Sequence, residues 1–324
     1  MEEKKLVSVQ DLVVKYITKD ETVNAVNGVS FDVHYGETLG LVGETGAGKT
    51  TIAKSIMRIL QEPPAKIVSG QIILDEETDV TKLSNNDMRK FRGDKVAMVF
   101  QDPMTALNPV MKVGSQIAHG IKIHRKCSRK EALSEARKIL EMVGIPGERA
   151  NEYPHQFSGG MKQRVIIAMA LSCDPDLLIA DEPTSALDVT IQAQVLEMIA
   201  KLQKEKNTAM LLITHDLAVV AENCKNVAII YAGEIVEYGS VPQIYDKPCH
   251  PYTLGLFESI PDISTKVNRL KPIQGAPPDP TNLPTGCKFH ERCPYATEAC
   301  AAQEIPMKTL PDGHQYRCIR DLEA

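Results

Sequence analysis

The sequence predicts an α/β fold: a largely parallel sheet with helices on both faces, a helical insert, and a small loop-rich extension at the C-terminal end. Three observations predict it. Apolar runs of strand length alternate with segments of helical periodicity. One of those strands runs directly into a glycine-rich turn that opens a helix. Beyond about residue 240 the patterning stops, and prolines recur at 242, 248, 251, 261, 272, 277, 278, 280 and 284.

The elements follow in chain order. Residues 6–14 (LVSVQDLVV) and 29–33 (VSFDV) alternate apolar and polar side chains, as half-buried strands do. Residues 38–42 (TLGLV) form a strand, and residues 50–60 (TTIAKSIMRIL) the helix after the glycine turn. Residues 67–75 (IVSGQIILD) read as a further strand or hairpin arm, and 96–100 (VAMVF) as a buried strand. From about 103 to 175 the character is helical. SRKEALSEARKILEMVG, residues 128–144, opens at Ser128 and stops near Gly144, and a second helix follows Ser158. Three apolar strands come next, at 176–183 (DLLIADEP), 209–216 (AMLLITHD) and 226–233 (NVAIIYAG). A helix at 189–205 separates the first two. The expected organisation is a core over 1–240, with its helical insert at about 103–175, and an extension over 241–324.

Composition narrows the class. The chain has 324 residues, 43% hydrophobic and 24% charged, ordinary for a folded protein. A net charge of −5 argues against a protein that coats nucleic acid, so no nucleic-acid partner is expected. The start, MEEKKLVSVQDL, has no apolar stretch like that of a secretory signal and reads as a mature cytosolic start. No run of about 18 apolar residues exists to span a bilayer. If the chain serves a membrane, it does so from one face, through partners.

The strongest local signal is Gly43-Glu44-Thr45-Gly46-Ala47-Gly48-Lys49-Thr50, with Thr51 continuing the helix. It matches G-x-x-x-x-G-K-[ST], placed after a strand and at a helix start. Glycines let backbone N–H groups turn inward around phosphates, and the helix N-terminus adds partial positive charge. Lys49 supplies a full charge to the β- and γ-phosphates, and the Thr50 hydroxyl can ligate Mg²⁺. Downstream, Leu177-Leu-Ile-Ala-Asp181-Glu182-Pro183 brings two carboxylates to the end of a buried strand. Asp181 would hold Mg²⁺ or its water shell, and Glu182 would act as general base on the attacking water. A carboxylate pair at a strand end is also an ordinary cap. The phosphate loop upstream favours the catalytic reading.

Many NTPases share those two motifs. Phe157-Ser158-Gly159-Gly160-Met161-Lys162-Gln163-Arg164 narrows the class, because it resembles the LSGGQ signature of ABC ATPases. Its first and fifth positions depart from that pattern, while Ser158, Gly159 and Gly160 keep it. The chain therefore looks like a P-loop NTPase of the ABC ATPase type. In that family two subunits dimerise head to tail, so the signature of one covers the γ-phosphate bound by the other. The resemblance implies further roles. Tyr16 matches the aromatic that stacks on adenine. Gln101 matches the Q-loop glutamine that senses Mg²⁺ and meets the membrane-domain interface. Ser185-Ala-Leu-Asp188 matches the D-loop, and His215 the switch histidine at the γ-phosphate. Segments 101–110, 151–164, 183–196 and 250–261 resemble the ATPase subunits of dipeptide and oligopeptide importers, a group that also handles nickel. This implies ATP and Mg²⁺ as cofactors and two membrane-spanning permease subunits as partners. It further implies a paralogous ATPase subunit, with a homodimer as the alternative, and a peptide-binding protein as an indirect partner. The implied location is the cytoplasmic face of the cell membrane. Soluble ABC ATPases of DNA repair carry a long coiled coil between the two motifs, and those of translation carry two cassettes. Neither feature is present.

Four of the eight cysteines crowd the tail as Cys287-x5-Cys293-x6-Cys300-x17-Cys318. In a reducing setting such a cluster points to metal rather than to disulfides. Zinc and an iron–sulfur cluster are both open to four thiolates, and the paired C-x2-C knuckles of common zinc sites are missing. Importer ATPases with this tail resemble proteins that bind a [4Fe–4S] cluster, so a cluster is expected first, zinc second and free thiols third. His290 and His314 are further candidate ligands. Cys127, Cys173, Cys224 and Cys249 read as buried apolar residues. The tail holds too little apolar sequence for a core of its own, so its metal is read as a structural staple.

Overall fold

The computed structural model describes residues 4–100, 106–185, 189–259 and 272–320. Its strands are β1 (Lys5–Ile17), β2 (Thr22–His34), β3 (Thr38–Val42), β4 (Ala65–Leu74), β5 (Thr78–Asp79), β6 (Val96–Val99), β7 (Leu177–Asp181), β8 (Ala209–Thr214), β9 (Asn226–Tyr231), β10 (Glu234–Ser240), β11 (Lys308–Thr309) and β12 (Gln315–Tyr316). Its α-helices are α1 (Lys49–Ile56), α2 (Asn85–Asp94), α3 (Val113–Arg125), α4 (Arg129–Met142), α5 (Gly159–Leu171), α6 (Val189–Lys206), α7 (Leu217–Asn223), α8 (Val241–Asp246), α9 (Pro251–Glu258) and α10 (Glu298–Ala302).

Two compact units form. The first joins Met1–Val7, Val33–Thr38 and Leu74–Ile213. Its strands β6, β7 and β8 run parallel, with Val96 opposite Leu177 and Leu177 opposite Ala209. Every residue of the three is buried, and they read as apolar runs up to the polar Asp181 and Thr214 that end β7 and β8. Helix α4 starts where the sequence indicates. The Ser128 hydroxyl accepts from the Glu131 N–H at 3.2 Å, and the Glu131 carboxylate accepts from the Ser128 N–H at 2.8 Å. Ser158 caps α5 with its hydroxyl alone, accepting from the Met161 N–H at 3.4 Å.

The second unit joins Ser8–Asp32, Leu39–Ile73 and Thr214–Ala324. Here β3 pairs parallel with β9, β10 returns antiparallel along β9, and β12 and β11 continue the antiparallel edge. Strands β2, β1 and β4 form a separate sheet in that order. Among the described residues past 240, expected as an extension, Cys249, Tyr316 and Cys318 form only a small cluster of their own. Tyr252 and Phe289 instead join Val42, Val227, Ile229, Tyr231 and Val236 in one buried cluster.

Several elements differ from the expectation. Helix α1 ends at Ile56 rather than near residue 60, and Arg58 beyond it takes a positive φ of 47°. Helix α3 carries no side-chain cap at Lys112, so it lacks the usual start signal. The polar α2 is announced only by its Ser84 cap. Strand β10 breaks apolar alternation because Glu237 is fully buried within it.

The parallel core makes one expectation quantitative. Ile179, at the centre of β7, is fully buried. Ile179→Ala should lower unfolding free energy by about 2–5 kcal/mol, read as a reduced denaturation midpoint in urea.

Candidate nucleotide site

In the second unit, β3 is buried throughout and delivers the chain to Gly43. Close packing dictates the glycines. A Cβ on Gly43 would lie 2.2 Å from the Ile230 carbonyl oxygen. At Gly48 the backbone has φ +102°, and a Cβ would lie 2.4 Å from the Ala25 carbonyl oxygen. The loop is thus wedged against β2 and the β9–β10 turn. The Gly233 N–H donates to the Ala47 carbonyl at 3.0 Å, and the Asn27 N–H donates to the Gly233 carbonyl at 2.8 Å.

Lys49, the first residue of α1, is 6% exposed. Its ammonium donates to the Gly43 carbonyl at 2.6 Å and to the Glu44 carbonyl at 3.0 Å, which folds it back over the loop. Thr50 and Thr51 follow in the first turn, where helix N–H groups lack intrahelical partners. The Tyr16 hydroxyl lies 3.2 Å from the Thr51 hydroxyl, so the tyrosine borders the start of α1. Thr45 and Gly46 face solvent. Glu44 does not: its carboxylate takes two hydrogen bonds from Arg292, at 2.8 and 3.0 Å.

His215 follows β8 and is exposed, and the next residue, Asp216, caps α7 by accepting from the Ala218 N–H at 2.9 Å.

In the first unit, Asp181 ends β7 with 3% of its surface exposed. Glu182 has a φ of 47°, uncommon for a residue with a Cβ and a feature of functional turns. Its N–H donates to the Ile213 carbonyl at 2.9 Å, and its carbonyl accepts from the Ser185 hydroxyl at 3.2 Å. From α5, the buried Gln163 amide donates to the Pro183 carbonyl, tying the signature helix to the residue after the carboxylate pair. Ser158 and Gly159 are exposed at the N-terminus of α5, and Gly160 is half-buried. A Cβ on Gly159 would meet nothing within 4 Å, so this helix end is open to a ligand or partner. Gln101 and Asp188 lie outside the described residues.

Cys287, Cys293, Cys300 and Cys318 all line one cavity of about 380 Å³ in the second unit. Burial pushes the Cys287 thiol up to about 11 and raises those of Cys293 and Cys318, with the other tail cysteines adding to the effect. The same cavity is lined by His250, whose buried Nε2 has no hydrogen-bond partner. Converging thiols and an orphaned ring nitrogen fit a sulfur-ligated group that also accepts a hydrogen bond. Among the described residues, the group of three ligand atoms within 4.8 Å of one another is Glu237, Cys249 and His314, not the tail thiols.

His314 is committed elsewhere. Its Nε2 lies 2.8 Å from a Glu237 oxygen, and its Nδ1 lies 3.7 Å from the Cys249 sulfur. His290 borders the cavity, but its Nδ1 bonds the Cys287 carbonyl at 2.8 Å. No motif marks Glu237 or Arg292 in the sequence, and segment 250–261, which contains His250 and Tyr252, gives them no individual role.

Comparison with known proteins agrees with this geometry. Residues 26–185 match the family model described as "ABC transporter", and residues 236–300 match "Oligopeptide/dipeptide transporter, C-terminal region". The chain is 48% identical to the dipeptide transport ATP-binding protein DppD of Bacillus subtilis, across 99% of this chain and 96% of that protein. The chain belongs to the ABC transporter family, in its oligopeptide/dipeptide branch. The oligopeptide transport ATP-binding protein AppD of the same organism is 47% identical over 97% of this chain and 96% of its own length. Among solved structures, the ATP-binding cassette MJ0796, in a dimeric post-hydrolysis state bound to ADP and phosphate, is 26% identical with a TM-score of 0.65. That match covers 72% of this chain and 98% of the cassette. This ABC ATPase has, among its described residues, no helix long and apolar enough to cross a membrane.

The loop packing gives a direct expectation. Gly48→Ala places a side chain against the Ala25 carbonyl and in a left-handed conformation, itself worth about 1–2 kcal/mol. The variant should melt at lower temperature and lose binding of a fluorescent ATP analogue.

Proposed function

We propose that the chain hydrolyses ATP at the cytoplasmic face of the cell membrane to power uptake of dipeptides or oligopeptides. The observation that carries this reading is the phosphate loop, built on glycines that close packing requires, in a chain with the peptide-branch C-terminal region. Residues 1–240 form the ATPase core, and residues 241–324 the extension that marks the branch. Two membrane-spanning permease subunits couple to the region of Gln101 and the helical insert. A paralogous ATPase subunit completes the dimer, with a homodimer as the alternative, and a peptide-binding protein delivers the cargo.

Gly43 to Thr51 wrap the phosphates, Lys49 neutralises them, and Tyr16 stacks on adenine. Thr50, Asp181 and Gln101 offer hard oxygen donors that suit Mg²⁺. When bound, Mg²⁺ offsets negative charge that develops on the phosphate oxygens. Glu182 takes a proton from the attacking water, and His215 steadies the γ-phosphate. Ser158, Gly159 and Gly160 donate from an open helix N-terminus to the nucleotide of the partner subunit, and Asp188 crosses the same interface. The dimer closes on ATP and reopens after hydrolysis, a two-state motion that the permeases follow.

Glu182→Gln is expected to bind ATP with near-normal affinity while turnover falls by about 10²–10⁴-fold, measured as phosphate release under saturating ATP. Normal turnover would remove Glu182 from the general-base role.

Cys287, Cys293, Cys300 and Cys318 are proposed to hold a [4Fe–4S] cluster that staples the tail, with zinc as the second choice. Protein purified without air should be brown, with about four irons and four sulfides per chain. One zinc per colourless chain would replace the cluster, and neither metal after attempted reconstitution would leave the cysteines as thiols.

A further inference from the structure

Both the backbone and the side chain of Glu44, the second residue of the phosphate loop, are held by residues beyond 250. Arg292, the residue before Cys293, donates from Nη1 to one Glu44 oxygen at 2.8 Å and from Nη2 to the other at 3.0 Å. Its Nη1 also donates to the Tyr231 hydroxyl at 3.2 Å, and its Nε to the Gln274 carbonyl at 3.0 Å. The Arg292 side chain is 7% exposed, so this is a fork held in place by packing and not a surface ion pair. The Glu44 N–H in turn donates to the Tyr252 hydroxyl at 3.0 Å. Tyr252, Tyr231 and Phe289 pack ring on ring, with centroids 4.7, 5.2 and 5.4 Å apart in pairs. The tail also holds β2, the strand against which the loop packs. The Pro280 carbonyl accepts from the Asn24 N–H at 2.8 Å and from its side-chain amide at 3.0 Å. Pro277, Pro278 and Pro280 border a crevice of about 140 Å³ together with Thr45, Gly46 and Ala47.

Two physical consequences follow. A loop rich in glycine loses much conformational freedom when it closes on phosphates, so any contact that fixes its shape beforehand favours binding. A carboxylate on that loop also repels the triphosphate unless its charge is matched. Arg292 meets both needs, although it carries no phosphate-binding motif and belongs to the tail.

We propose that Arg292 is a positioning residue of the nucleotide site. It neutralises Glu44 and, with Tyr252, holds the phosphate loop in its binding shape, so nucleotide affinity depends on the folded tail. The proposal rests on the reading of Gly43 to Thr51 as the ATP site. Arg292 acts through Glu44 and touches no phosphate itself. Lysine is a poor substitute, because an ammonium cannot span both carboxylate oxygens and the Tyr231 hydroxyl.

The test is equilibrium binding of Mg²⁺ and a non-hydrolysable ATP analogue to the full chain, with metal content and melting temperature recorded for each variant. Arg292→Ala should weaken binding about ten-fold, within the range usual for coupled sites, and Arg292→Lys by a smaller factor. Adding Glu44→Gln to Arg292→Ala should recover most of the loss, because the unmatched charge is gone. In the assembled transporter, KM for ATP should rise while kcat changes less than the KM, the pattern of lost uniform binding. Lys49→Ala serves as the reference. If it binds the analogue like the parent chain, the ATP-site reading itself fails. If Lys49→Ala abolishes binding while Arg292→Ala binds normally, the positioning role is overturned. Failure of Glu44→Gln to restore any affinity overturns it equally, because a tail that merely supports the fold would show that result.

Discussion

Backbone N–H groups can converge on an anion only where no Cβ stands in the way, and this constraint organises the second unit. The loop from Gly43 to Gly48 has the Ile230 carbonyl on one side and the Ala25 carbonyl on another, each closer than a methyl group would tolerate. Such a loop cannot stiffen itself through its own side chains. Its rigidity is borrowed: from β3 below it, from the Asn27–Gly233–Ala47 hydrogen-bond chain, and from Tyr252 and Arg292. The residues around the loop therefore set its shape as much as the motif does.

A buried carboxylate anchors the segment that supplies Tyr252. Glu237 accepts from the N–H groups of Cys249 and His250 and pairs with His314 at 2.8 Å. A carboxyl group with no solvent contact is tolerated only when its oxygens are met in this way. The His250 ring accepts from the Tyr252 N–H at 3.1 Å and so caps α9. One short stretch, His250-Pro251-Tyr252, thereby borders the cysteine cavity with its first residue and reaches the phosphate loop with its third.

What was legible in the sequence was local. The phosphate loop, the Asp181-Glu182 pair and the Ser158 cap each lie within one strand–turn–helix, so spacing along the chain reports spacing in the fold. The parallel strands were legible for the same reason, because burial on both faces writes an unbroken apolar run. Arg292 and Glu44 are 248 positions apart, and His314 and Glu237 are 77 apart. No periodicity links such pairs, and only the closed fold brings them together. Cys249 illustrates the intermediate case. It is buried, as an apolar reading of a lone cysteine expects, yet its backbone and sulfur belong to a polar knot. Strand β10 was missed because that knot places a glutamate where alternation calls for an apolar residue.

The short hairpin of β11 and β12 closes the outer edge of β10, with Tyr316 opposite Glu237 and Gln315 opposite Tyr238. Until those residues leave the ribosome, β10 presents a bare row of backbone donors and acceptors, the kind of edge that recruits foreign strands. Glu237 meanwhile lacks the imidazole that matches it. The sheet that carries the phosphate loop is thus closed at this edge by a hairpin that lies far along the chain from the loop. A chain broken off before β11 keeps every nucleotide-binding motif, yet it carries a bare strand edge and a buried Glu237 without its His314 partner.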